Sequence, residues 1–287
     1  MLNPGLVAAF AVLAFGGIDG IIAKHITRRL GKHRYAIAVL GIGIVPMLIY
    51  LAAVGISNFS NTVVLLSFLS SIFLGIGYIL WYKAIETQQI TNVSLLGVVQ
   101  PALIFLFGML VLGNRVDIME MLGVLAIFAG SLFVLSNGRM KINVLLVPAI
   151  LANISWAVYW MIMNYAIAAY GSYSLPLIIA RILAFVIIVA YSVLFGKIES
   201  TRRPYGFPNL ALLLVLLLAS GIMDSLVNIL FGFVIKVGLV AIGSAIIAGT
   251  PILTAVLGRI IFKDRLTKLQ AFGFLMAVAG SIAISIA

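Results

Sequence analysis

Residues 98–115 read VVQPALIFLFGMLVLGNR, and residues 248–265 read AGTPILTAVLGRIIFKDR. Each stretch sets a proline inside an apolar run, Pro101 in the first and Pro251 in the second, 150 residues apart. Inside a helix a proline removes a backbone hydrogen bond, and its ring clashes with the preceding turn. The same defect at two matching places calls for one cause. Residues 99–134 align on 249–284 without a gap, with nine identities in 36 positions. The shared residues include Gly108/Gly258, Arg115/Arg265, Gly123/Gly273, Gly130/Gly280 and Ser131/Ser281, which are rare or backbone-shaping types. Upstream the match is fainter and moves to an offset near 140, with Gly31 opposite Gly171. The chain therefore reads as two copies of one unit, residues 1–138 and 139–287, joined near SNGRMKIN at 136–143.

Composition sets the medium. Of 287 residues 64% are hydrophobic and 9% are charged, whereas soluble domains carry about 25% charged residues. Roughly 20 consecutive apolar residues cross a bilayer as a helix. Ten such segments lie near 4–23, 36–56, 63–85, 91–113, 118–136, 143–168, 174–195, 209–235, 239–262 and 268–286. Short loops between them leave no room for a soluble domain. The expected fold is all-α and integral to the membrane, with ten transmembrane helices as two five-helix repeats. Five is odd, so the second copy enters the membrane the opposite way round. Inverted repeats of this kind build alternating-access transporters, with the substrate site at the midplane between the halves. A proline is tolerated in a span when neighbouring helices or a water-lined cavity satisfy the freed carbonyl. Pro101 and Pro251 are thus candidate hinges, or else fixed kinks that shape the packing.

The opening MLNPGLVAAFAVLAFGGIDG lacks the basic region and cleavage site of a signal peptide and reads as a retained first span. No cysteine occurs, and the two histidines lie far in sequence from any carboxylate pair, so no metal site is expected. No GxxxxGK motif is present, so neither ATP nor another cofactor is expected. The net charge of +11 fits basic loops facing anionic lipid headgroups, and nucleic acid is not expected as a partner. Fifteen of the eighteen Lys and Arg residues fall at odd-numbered connections, which puts those connections in the cytoplasm and both termini outside.

The segment VVQPALIFLFGMLVLGNRVDIMEMLGVLAIFAGSLFVL and its copy IAGTPILTAVLGRIIFKDRLTKLQAFGFLMAVAGSIAIS resemble the paired domains of the drug/metabolite transporter superfamily, in its ten-helix EamA-like branch. There a proline-bearing span ends in a Gly-Glu-Arg loop and leads into a span with spaced glycines. Residues 177–191, LIIARILAFVIIVAY, also look like the arginine-bearing start of a span in that branch. The loop glutamate is replaced here by Asn114 and Asp264, and the first connection, KHITRRLGKHR, is unusually basic. The resemblance implies transport, and it implies cytoplasmic termini, against the charge count.

Ionisable groups within a span cost at least ~2.5–3.5 kcal/mol to insert, so they mark a cavity or a partner. Asp224 shares a helical stripe with Ser220 and Asn228, while Asp19 lies in the first span and Arg181 in the seventh. The carboxylates are candidates for a proton or cation, and the arginine for an anion. The competing readings are an Arg181–Asp224 ion pair and an Asp19 that snorkels to the interface. In the sixth span Asn153, Trp156, Trp160 and Asn164 recur at spacings of three and four beside Tyr159. That stripe suits an organic ligand with an apolar body, or alternatively helix–helix packing. Tyr78, the repeat mate of Asn228, with Trp81 and Gln100, completes the candidate substrate contacts.

No acidic pair lies at helix-face spacing inside a span, so a membrane-embedded metal enzyme is not expected. The expected function is secondary active transport in the cell membrane, exporting amino acids or related small metabolites with proton exchange as the candidate coupling. The alternative is polyspecific efflux of aromatic or quaternary cations. The expected partners are the small-molecule substrate, the lipid bilayer and protons, and the expected state is a monomer or weak dimer.

Overall fold

A computed structural model of the chain describes residues 3–56, 60–113, 117–135, 144–194, 210–263 and 267–286. The elements are α1 (Pro4–Leu30), α2 (Lys32–Val54), α3 (Asn61–Thr87), α4 (Ile90–Leu95), α5 (Val99–Leu110), α6 (Ile118–Leu135), α7 (Val147–Tyr170), α8 (Ser174–Leu194), α9 (Leu210–Lys236), α10 (Val240–Ile247), α11 (Gly249–Phe262) and α12 (Lys268–Ile286). Among the described residues seven helical segments are long and apolar enough to cross a membrane, and shorter apolar helices accompany them. Large apolar side chains such as Ile49, Leu65, Leu125 and Leu214 stand exposed on the outside, as a lipid-facing surface requires.

The expected fourth and ninth spans are each two helices. A 3-10 turn at Leu96–Val98 separates α4 from α5, and Ala248 separates α10 from α11. Both breaks fall just before a proline. Pro101 cannot bond the carbonyl of Gly97, nor Pro251 that of Ile247, and each ring pushes that carbonyl away. The turns stay right-handed: the Val99 N–H bonds Leu96 O and the Ala248 N–H bonds Ser244 O. These breaks are bends that keep local hydrogen bonding, not open gaps.

The two copies meet as mates. α2 packs on its mate α8 and α6 on its mate α12, while α4–α11 has its repeat counterpart in α10–α5 and α3–α7 in α9–α1. Direction is readable from residues. The Tyr50 and Tyr173 hydroxyls bond where α2 ends and α8 begins, while His33 at the start of α2 meets Ser192 at the end of α8. Phe133 near the end of α6 stacks edge-on against Phe272 at the start of α12, with centroids 5.5 Å apart. Thr91 of α4 donates to Ala255 O of α11. Both mate pairs, α2–α8 and α6–α12, run antiparallel, as inverted repeats must. The faint upstream register has a structural mark too, since α1 and α7 both end on a glycine of positive φ, Gly31 and Gly171. The repeat-linking stretch 136–143, with the 138/139 boundary, lies outside the described residues, as do Asn114, Arg115, Asp264 and Arg265.

Candidate functional site

A cavity of about 190 Å³ opens between the halves. Its walls come from α1, α3, the bent pairs α4–α5 and α10–α11, α7 and α9. Of the residues singled out in sequence, Asp19, Tyr78, Trp81, Gln100, Asn153, Trp156, Tyr159, Trp160, Asp224 and Asn228 line it, together with Pro101 and Pro251. Asn164 does not, and neither does Arg181. Residues three or four apart share a helix face, which brings Asn153, Trp156 and Trp160 of α7 and Asp224 and Asn228 of α9 to the cavity, while Asn164 and Ser220 at the ends of those stripes lie outside its lining.

Arg181 sits behind the wall, 1% exposed. Its Nη1 donates to Asp224 Oδ2 at 2.7 Å, its Nε to Leu40 O at 3.1 Å and its Nη2 to Val39 O at 2.8 Å. Tyr78 donates to the same carboxylate at 2.7 Å. Asp224 is thus an ion-paired, doubly served group, and the Arg181–Asp224 pair offered by the sequence is present. A buried charge needs such partners, because desolvation costs several kcal/mol per ion.

Asp19 differs. It faces the cavity midway along α1 instead of snorkelling to an interface, and the Ser220 hydroxyl donates to its Oδ1. Ser220 in turn bonds the Tyr35 hydroxyl, and the Tyr35 ring meets that of Tyr82 edge-on at 4.8 Å. Among the described residues no cation pairs with Asp19.

The aromatic wall is continuous. Trp156 lies 5.6 Å from Tyr78 and 5.5 Å from Trp81, and Trp160 lies 4.7 Å from Tyr159 and 4.6 Å from Phe231. Tyr159 donates to Asn228 Oδ1 at 3.4 Å, and the Asn228 amide donates to Asp224 O at 2.8 Å. Asn153 spends its amide on Ala149 O at 2.7 Å. Two buried polar atoms of the lining have no partner, Trp156 Nε1 and Thr250 Oγ1.

Several participants carry no sequence signal. Tyr35 precedes by one residue the expected start of the second span at 36. Gly43 admits the Arg181 guanidinium, which an added Cβ would overlap, and Gly77 does the same for the Trp156 indole. No periodicity distinguishes either glycine from a packing residue.

The profile of the EamA-like transporter family matches residues 3–136 and again 143–286. The chain belongs to the EamA-like transporter family. It is accordingly a multi-pass membrane transporter of the drug/metabolite transporter superfamily, and members of this family are transporters, not enzymes. No curated protein matches the chain. Among solved structures 28 chains match. One, described only as the crystal structure of a protein, covers 99% of this chain and 96% of its own, at a TM-score of 0.68 and 18% identity. That likeness concerns the fold alone.

Proposed function

We propose that this EamA-like transporter exports amino acids or related small metabolites by alternating access, in exchange for protons. One observation carries the reading: a cavity between inverted halves is walled by both proline-bent helix pairs and holds a carboxylate with no cation bonded to it. Symmetric bends give each half an equivalent place to flex. Asp19 holds a proton in one half of the cycle and releases it in the other, and each ligand favours the conformer that binds it better. Asp224, tied to Arg181 and Tyr78, serves as a fixed element of the wall. The reading takes the cell membrane as the site of action, with the basic odd-numbered connections on the cytoplasmic face.

Polyspecific efflux of aromatic or quaternary cations is the second reading, favoured by the Trp81–Trp156 wall. The volume of about 190 Å³ speaks for the smaller solutes, because pockets that take drug-sized ligands measure roughly 300–1,000 Å³. Reconstitution of the purified chain in liposomes tests both. Accumulation of a radiolabelled metabolite against its gradient after a pH jump supports the first reading. Flux that ignores the pH gradient removes proton exchange from it.

A further inference from the structure

The two ends of the cavity are held by different chemistry. At the end where α1, α3 and α11 finish, the lining stops at Ala23, Tyr82, Ser94 and Thr254. Next to these stands a floor of buried residues, Lys24, Ile85, Thr91 and Ala255, each at most 5% exposed. Three side chains lace it across helices. The Lys24 ammonium of α1 donates to Ile85 O and Gln88 O at the close of α3. Thr91 of α4 donates to Ala255 O of α11 at 3.3 Å, and Thr254 of α11 to Gly17 O of α1 at 3.2 Å. The corner between α3 and α4, α11 and α1 are thus tied in a ring.

The other half carries no such groups at the matching positions. In the register of Gly31 and Gly171, the mate of Lys24 is Asn164; in that of Pro101 and Pro251, the mates of Thr91 and Thr254 are Ala241 and Ile104. Alanine and isoleucine have no side-chain donor, and asparagine has no charge. Lys24 is the strongest tie of the ring. Ile85 lies in the last turn of α3, where carbonyls lack a partner within the helix and form the negative end of its dipole. A lysine there is also able to let go. Its charge is compact and strongly hydrated on a flexible stem, and Lys24 stands less than two turns from the end of α1.

We infer that Lys24 is the latch of a polar gate at this end of the cavity, and that the carrier rests with this end shut. Opening draws the ammonium off the α3 carbonyls into water entering from that face. The opposite end, apolar at the positions of both threonines, opens without that step. The inference rests on the alternating-access reading and adds an unequal pair of gates, so that repeats of one unit open to the two faces at different rates.

The chain contains no cysteine, so single-cysteine reporters of each gate are clean. In proteoliposomes of sorted orientation, a membrane-impermeant maleimide reaches a Ser94→Cys reporter from the face where α1 ends, and an Ile104→Cys reporter from the opposite face. Lys24→Met keeps the stem and removes the charge. It should speed labelling of the Ser94→Cys reporter by about tenfold or more, the weight of a hydrogen bond to a charged group. It should also slow labelling of the Ile104→Cys reporter, because one end closes as the other opens. Thr254→Val removes one neutral hydroxyl and should shift both rates the same way by about threefold, which decides the matter should Lys24→Met fail to fold. Unchanged labelling in whichever of the two variants folds overturns the latch. Faster labelling of both reporters, the mark of general loosening, overturns it too. In either case, protein-dependent flux that persists leaves the transport reading standing. No protein-dependent flux of any solute overturns both.

Discussion

The α3–α7 contact and its repeat counterpart, α9–α1, build opposite walls of one cavity by reversing size. In the first, Gly77 of α3 faces Trp156 of α7, whose indole fills the place a Cβ would take. In the second, Val227 of α9 stands at the position of Gly77, and Gly16 of α1 at the position of Trp156. A Cβ on Gly16 would meet Thr250 Cγ2 of α11 at 2.9 Å, too close, and Val227 Cγ2 at 3.8 Å, an ordinary contact. The glycine thus changes sides between the walls, and on the α1 side its tight neighbour is Thr250. The chemistry of the two walls parts company. The α7 wall is aromatic and holds an unpartnered indole N–H. The α1 wall is glycine-rich and holds a carboxylate, Asp19, at the counterpart of Tyr159. Duplication conserved the shape of the scaffold and released its electrostatics, so a symmetric frame encloses an asymmetric site.

The carboxylates differ in the same sense, and breaking each should show it. Asp224→Asn leaves Arg181 charged, buried and without its anion, a loss of about 3–5 kcal/mol for a buried pair. Thermal unfolding in detergent should register it as the largest effect of any substitution considered, and the double change Arg181→Met with Asp224→Leu should recover much of it. A single variant as stable as the parent would remove the pair from the fold's support.

Gly77→Val copies the other wall without its small partner and should cost about 1–3 kcal/mol through overpacking on Trp156. Adding Trp156→Gly restores the small–large match and should recover stability in the same unfolding measurement. Failure of that rescue would mean that the two walls are not interchangeable in shape.

For Asp19→Asn a smaller stability change is expected, because an amide still accepts from Ser220. The functional change is larger: accumulation driven by a pH gradient should vanish while counterflow at equal pH persists. Full pH-driven accumulation by the variant would return the coupling role to Asp224 or to another group. Pro101→Ala and Pro251→Ala should each slow counterflow and leave binding affinity nearly unchanged, with matched effects if both bends flex. A defect in one alone would make the other a fixed kink.

The smallest effect belongs to the half-buried pair Lys32–Glu86, whose charged atoms lie 3.2 Å apart with side chains 20% and 23% exposed. Lys32→Gln should cost below about 1 kcal/mol, since water screens such a pair and both side chains lose freedom in making it. An unfolding shift rivalling that of Asp224→Asn would overturn the contrast between exposed and interior ion pairs.

Much of the architecture is one-dimensional information. A span needs about 20 apolar residues because its backbone must close hydrogen bonds within itself in a medium without water. Count, length and parity of spans are therefore written along the chain, and so is inversion, which follows from five being odd. The two bends are local as well, each set by a proline and the carbonyl four residues before it. Helical periodicity likewise brings Trp156, Tyr159 and Trp160 to one wall without reference to any neighbour. Even so, the fourth and ninth spans read as continuous, because hydropathy does not register a turn that stays apolar.

Partnership was decided only by tertiary structure. Lipid is as apolar as leucine, so helix neighbours are chosen by shape and by a few polar contacts with no sequence period. The Tyr35–Ser220 and Ser220–Asp19 bonds join residues 185 and 201 positions apart. Arg181 finds Asp224 because α8 and α9 adjoin and Gly43 of α2 leaves room for the guanidinium. Along the sequence Asp224 and Asp19 are two lone acids in two apolar spans. Folding gives Arg181 to one and only the Ser220 hydroxyl to the other, and that assignment sets the charge of the cavity.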